Sequence, residues 1–177
     1  MPVGVGIIGT NWGAKTQTPI FRAAGLEVVA LYSRRLSKAE EICETMGIEH
    51  AFDTVEDLCS CPDVEIVSVT SPTYLHSEHA IAALKAGKHV LCDKPAGASV
   101  EEVRAMVECS RDHPGQLSII DHETRLTPAI LAARQAILVD GAIGELLHFD
   151  LHQVRPKPRH SQLDFHGRSE IWELRAR

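Results

Sequence analysis

The stretch that most constrains this chain is Val3-Gly4-Val5-Gly6-Ile7-Ile8-Gly9-Thr10-Asn11-Trp12-Gly13-Ala14. Val3 to Ile8 is almost continuously apolar, which predicts a strand covered on both faces, as in a parallel sheet. It breaks into a glycine-rich turn, and a helix follows at once. That order leaves free backbone N–H groups at a helix N-terminus, where a pyrophosphate can sit. Gly9, Asn11 and Ala14 stand at the spacing G-x-G-x-x-G/A, with Asn11 replacing the middle glycine. That glycine normally lets the phosphates approach the backbone, and Asn tolerates a left-handed conformation better than most residues. The turn therefore predicts a dinucleotide site around Gly9, Thr10, Asn11, Trp12 and Gly13. The plainer alternative is a turn that only connects a strand to a helix.

Downstream, apolar strands alternate with helical patterns. Strands are expected over Glu27 to Tyr32, His50 to Phe52, Glu65 to Thr70, His89 to Cys92, Leu117 to Ile120 and Leu146 to Leu151. Helices are expected over Ala14 to Ala24, Tyr74 to Ala86 and Pro128 to Val139, with a helical turn over Val55 to Leu58. Pro19 implies either a kink in the first helix or a helix that begins near Thr18-Pro19. Ser37-Lys38-Ala39-Glu40 and Ser99-Val100-Glu101-Glu102 match capping boxes, opening helices to about Met46 and Arg111. Gly47 and Gly87 are expected stops. Such alternation predicts an α/β domain with a parallel sheet and right-handed crossovers.

The bulk properties exclude several classes. The net charge of −6 gives no reason to expect a nucleic-acid partner. No run approaches a membrane span, and no signal or transit peptide precedes the first strand, so a soluble, cytoplasmic protein is expected. The five cysteines include no CxxC or Cys/His spacing for zinc. Reduced thiols and no metal site are expected.

The strand ends carry the chemistry, because ligands of open α/β sheets gather beyond the carboxyl ends of the strands. After the second strand an NAD site places an acidic residue against the ribose 2′-OH. This chain has Ser33-Arg34-Arg35 there, and a guanidinium pairs bidentately with a phosphate. NADP is therefore the preferred cofactor, with NAD the alternative; a solvated basic turn is the bland reading. Ser71, Pro72 and His76 follow one strand, and Asp93, Lys94 and Pro95 follow the next. Lys94, held by a rigid turn, can hydrogen-bond a substrate oxygen and help move its proton.

Here the chain resembles a known family. Gly6-Ile7-Ile8-Gly9-Thr10-x-Trp12-Gly13-Ala14, Ser71-Pro72-x-x-x-His76, Ala83-x-x-Ala86-Gly87-Lys88-His89-Val90-Leu91-Cys92-Asp93-Lys94-Pro95 and Gly141-Ala142-Ile143-Gly144-Glu145 are similar to the Gfo/Idh/MocA oxidoreductases. The resemblance implies a Rossmann-type doubly wound parallel sheet over 1–122 and, over 123–154, the beginning of a truncated α+β domain for substrate and oligomerisation. It implies an NAD(P)-dependent dehydrogenase of sugars, polyols or dihydrodiol-like small-molecule substrates. It marks Lys94 as catalytic, with Asp93 where the family usually has Glu. Ser71, Pro72 and His76 would flank the nicotinamide ribose. His122 and Arg125 would line the substrate side, or else serve capping and packing. Full-length members would be homo-oligomers whose second domain adds a Gly-rich stretch, an Asp and a His. Residues 155–177 do not resemble what should follow, and neither His160 nor His166 is assigned that role. That tail is expected to be either disordered or a loop and short helix. A truncated, non-catalytic dinucleotide-binding module acting as partner or regulator is the second reading.

Overall fold

In the computed structural model, which describes residues 2–150, the apolar runs become six parallel strands. They are β1 (Gly4–Ile8), β2 (Glu27–Tyr32), β3 (His50–Phe52), β4 (Ile66–Val69), β5 (His89–Asp93) and β6 (Ser118–Asp121). The sheet order is β3-β2-β1-β4-β5-β6. The chain leaves β1 toward β2 and β3, then returns to the other side of β1 for β4. Such a reversal opens a crevice beyond the carboxyl ends of the strands, where ligands of doubly wound sheets bind.

Every residue of β1 is buried, because helices cover both faces of the sheet. Val5 and Ile7 join Val28, Leu31, Ala39 and Ile42 on one side. Ile8 joins Leu58, Val67, Val69, Ala83 and Leu84 on the other. Each fully buried aliphatic side chain contributes about 1.5–3 kcal/mol, so these two layers hold the strands in register.

The helices are α1 (Thr18–Ala23), α2 (Leu36–Met46), α3 (Val55–Ser60), α4 (His76–Lys85), α5 (Val100–Asp112) and α6 (Pro128–Arg134). Pro19 acts as a start. A wider π-helical turn spans Gly13–Gln17, the Thr18 N–H bonds Gly13 O, and the α-helix begins with proline in its first turn. At α5 the serine half of the capping box forms: Ser99 Oγ accepts from Glu102 N at 3.2 Å, while Glu102 Oε2 accepts from Ala98 N at 2.7 Å. The corresponding box at Ser37 does not form. Helix α2 begins at Leu36 behind an extended Arg35, which places Ser37 inside the first turn. A cap not anticipated there opens α3, where Thr54 Oγ1 accepts from Asp57 N at 3.1 Å.

All five cysteines are buried and free. Burial pushes the Cys43 and Cys59 thiols up to about 11 and the Cys92 thiol up to about 12. Such thiols are unreactive. Among the described residues no helix is long and apolar enough to cross a membrane.

The described residues divide into two compact units after Glu123. The second contains α6, continued by a π-helical turn over Gln135–Val139. The strand expected over Leu146 to Leu151 is absent from 146–150, where the backbone is irregular. A strand draws its hydrogen bonds from a neighbour, and no second-unit strand exists among the described residues to provide them. The remainder of that expectation and the tail 155–177 lie outside the described residues.

Candidate functional site

Parallel pairing carries the predicted residues to one edge of the sheet. Ile8 lies opposite both Tyr32 and Val69, Val69 opposite Cys92, and Asp93 opposite Asp121. The segments Gly9–Gly13, Ser33–Arg35, Ser71–His76 and Asp93–Lys94 therefore all begin at the carboxyl end of this one sheet.

The glycine turn is shaped by a close approach to β4. A Cβ on Gly9 would run into Thr70 Oγ1 and the Thr70 carbonyl, and Gly9 also holds φ at 144°. A Cβ on Gly13 would meet the same hydroxyl, which donates to Ile8 O at 3.0 Å. Both glycines let the turn tuck against the sheet, so that the next helical turn starts directly above β1. The first N–H groups of that turn have no intrahelical partners and suit a phosphate. Asn11 does not use left-handed freedom, since no residue other than glycine has positive φ among the described residues. It stays in a conformation open to any residue, with its carbonyl accepting from Lys15 N at 2.9 Å. Trp12 is exposed beside it.

At the end of β2, the Ser33 N–H bonds Phe52 O, and Ser33 Oγ accepts from Arg35 N at 3.4 Å. Arg34 and Arg35 are exposed, so their guanidinium groups are free to meet a phosphate.

His76 is placed differently from what the sequence suggests. It is only 3% exposed, with Nδ1 2.8 Å from Pro95 O and Nε2 2.7 Å from Ser71 O. A carbonyl can only accept, so each nitrogen serves its carbonyl only when it carries a proton. The ring therefore ties the segment after β4 to the turn after β5, and supports the crevice rather than facing it. His79, also buried, approaches Ser71 Oγ at 2.9 Å, and its ring meets Tyr32 edge-on. Burial, then repulsion from His76, draws the His79 imidazole below its ordinary value, although Glu78 acts the other way.

Trp12, Gln17, Leu91, Asp93, Lys94, Asp121 and Glu123 surround a cavity of about 250 Å³. The turn into it contains a cis Lys94-Pro95 bond, and Asp93 Oδ1 accepts from Lys94 N at 2.7 Å. Lys94 Nζ lies 3.9 Å from Glu123 Oε1 and remains half-exposed. Gln17 is buried and spans the sheet: it accepts from Ser68 Oγ at 2.6 Å and donates to Asp121 Oδ2 at 3.4 Å. Burial pushes the Asp121 carboxyl up, as do Glu123 and Asp93, while Gln17 and Lys94 draw it down. Gln17 and Asp121 escaped the sequence reading, although Asp121 at a strand end was a positional signal. His122 is exposed and outside this cavity. Arg125 belongs to the second unit.

Comparison with known proteins accords with this geometry. The family model described as an oxidoreductase family with an NAD-binding Rossmann fold matches residues 3–120. A 1,5-anhydro-D-fructose reductase from Ensifer adhaerens is 36% identical over 144 residues, covering 80% of this chain and 41% of the relative. Levoglucosan dehydrogenase in complex with NADH superposes with a TM-score of 0.74 at 29% identity, over 81% of this chain and 41% of that one. KijD10, a 3-ketoreductase from Actinomadura kijaniata in complex with NADP, gives 0.70 at 29%, over 77% and 42%. The chain thus spans about two fifths of the length of these relatives. Sheet order, glycine turn, the Asp93-Lys94-Pro95 strand end and the family match agree: the chain belongs to the Gfo/Idh/MocA oxidoreductase family and carries its nicotinamide-dinucleotide-binding fold.

Proposed function

We propose that the chain forms the cofactor-holding part of an NADP(H)-preferring oxidoreductase. Its hydride would pass between nicotinamide and a hydroxyl or carbonyl carbon of a sugar- or polyol-like small molecule. The observation that carries this reading is the convergence of the glycine turn, Ser33-Arg34-Arg35 and the Lys94 cavity on one sheet edge. The residues suit such a cofactor. Gly9 and Gly13 give a cradle that a Cβ would spoil, and the β2 end offers guanidinium groups with no acidic residue in Ser33-Arg34-Arg35.

When bound, the cofactor supplies or accepts the hydride. The chain binds and orients it. Gly9 to Gly13 would hold the pyrophosphate, Ser33, Arg34 and Arg35 the adenosine 2′-phosphate, and Ser71 and Pro72 the ribose beside nicotinamide. Lys94 would hydrogen-bond the reacting oxygen and hold or move its proton, oriented by the Asp93–Lys94 turn that His76 braces. The substrate preference is supported by sugar-directed relatives, a 1,5-anhydro-D-fructose reductase and a levoglucosan dehydrogenase.

Replacing Arg34 and Arg35 together by Ala tests the cofactor assignment. Loss of charge-assisted contacts of about 1.5–3 kcal/mol should weaken NADPH binding by roughly tenfold to a hundredfold and leave NADH nearly unchanged. Equal weakening of both would refute the 2′-phosphate role. Turnover of a polyol or sugar by this chain would exclude the non-catalytic module.

A further inference from the structure

At the opposite, amino-terminal edge of the sheet, three dissimilar donors converge that the cofactor site does not use. His50 begins β3, while Cys61 and Asp63 lie in the turn between α3 and β4. One ligand atom from each lies within 4.8 Å of both others. His50 Nε2 and Asp63 Oδ2 are 3.1 Å apart. Neighbouring ligands on a tetrahedral zinc ion are about 3.3 Å apart, given metal–ligand bonds of roughly 2.0–2.2 Å. We propose that His50, Cys61 and Asp63 form a binding site for a zinc-type divalent cation.

The turn is held in place from several sides. Pro62 sits inside a tight turn closed by Val64 N donating to Cys61 O at 3.3 Å. Lys88 Nζ donates to Cys61 O at 3.0 Å and to Val64 O at 2.7 Å, which fixes both ends of that turn. The turn packs so closely on β1 that a Cβ on Gly4 would overlap the Asp63 carbonyl. The Cys61 and Asp63 side chains thus start from a braced backbone.

The donor chemistry also selects the ion. Imidazole, thiolate and carboxylate together suit zinc, whereas magnesium and calcium take oxygen ligands. On binding, the Cys61 S–H bond breaks, the sulfur keeps the electron pair for the metal, and the proton passes to solvent. The resulting thiolate and the Asp63 carboxylate balance a divalent charge. Glu49 Oε1 lies 4.0 Å from His50 Nε2, and water would complete the coordination. Cys61 is 7% exposed, while the His50 and Asp63 side chains are 30% and 60% exposed. The sulfur is sheltered, and the ion can enter from solvent past the other two. Sequence spacing does not reveal this group, because the histidine and the Cys-x-Asp pair are joined only by the fold.

The test is titration of the reduced, metal-free 177-residue chain with cobalt(II), whose thiolate complexes absorb in the near ultraviolet. The expected result is a sulfur-to-cobalt band that saturates at one ion per chain and is bleached by zinc. It should be lost in Cys61→Ser, weakened at least tenfold in His50→Gln and Asp63→Asn, and retained in Cys59→Ser. His50 and Asp63 are partly exposed, so their variants should keep the wild-type circular dichroism even if Cys61→Ser does not fold. A chain that shows no band at millimolar cobalt would overturn the proposal. So would a band unchanged in His50→Gln and Asp63→Asn.

Discussion

His76 shows how much a single side chain can decide here. Its ring joins the carbonyls of Ser71 and Pro95, two segments that flank the same crevice. Both carbonyls keep some access to water, so each lost contact costs about 0.5–1.5 kcal/mol. His76→Ala should therefore lower unfolding stability by roughly 1–3 kcal/mol in a urea titration. It should also weaken dinucleotide binding without any direct contact being removed. His79 gives a pH signature. Its folded value lies below the ordinary 6.5, so the unfolded chain binds more protons in that window. Stability from this group is present above 6.5 and is lost as the pH falls toward its folded value. His79→Asn should flatten the decline of the melting temperature between pH 7 and 5. An unchanged slope would show that His79 is not its source.

At the scale of elements, the two similar Ser-x-x-Glu motifs separate what sequence can and cannot reveal. Ser99 caps α5, whereas Ser37 lies within α2. The difference is one of context. Arg35 remains extended ahead of α2 and takes the cap position, so its helix starts before the serine that matched the motif. Ser99→Ala should cost about 1 kcal/mol. Ser37→Ala should be neutral or slightly stabilising, because Ala is the better helix former away from a cap. Comparing the two melting temperatures checks this. The six strands were legible because each is a short β-branched or apolar run closed by a turn residue, and parallel order followed from the alternation. The missing strand over 146–150 was illegible for the converse reason: its pattern is right, but hydrogen bonding needs a partner that the pattern does not encode.

For the whole molecule, the sheet order converts residues distant in sequence into one edge. The glycine turn, the Ser33-Arg34-Arg35 end and Lys94 were visible beforehand, because strand ends and special residue types mark themselves. What lies beneath them was not. Gln17 reads as an ordinary helix residue, yet it links Ser68 in β4 to Asp121 in β6 and closes one wall of the cavity. His76 reads as a ligand residue and proves to be a brace. Each of those roles depends on contacts between strands that are far apart in the chain. Because the chain spans about two fifths of its relatives, holding a cofactor and using it are separate questions.

The proposed role of that edge is to hold a nicotinamide dinucleotide with preference for the 2′-phosphate. Trp12 borders the cavity and offers a direct reporter. The decisive measurement is a fluorescence titration of the 177-residue chain with NADPH and, separately, NADH. Saturable quenching at one dinucleotide per chain is expected, with NADPH bound at least tenfold more tightly. Tighter binding of NADH, or no saturation with either, would contradict it.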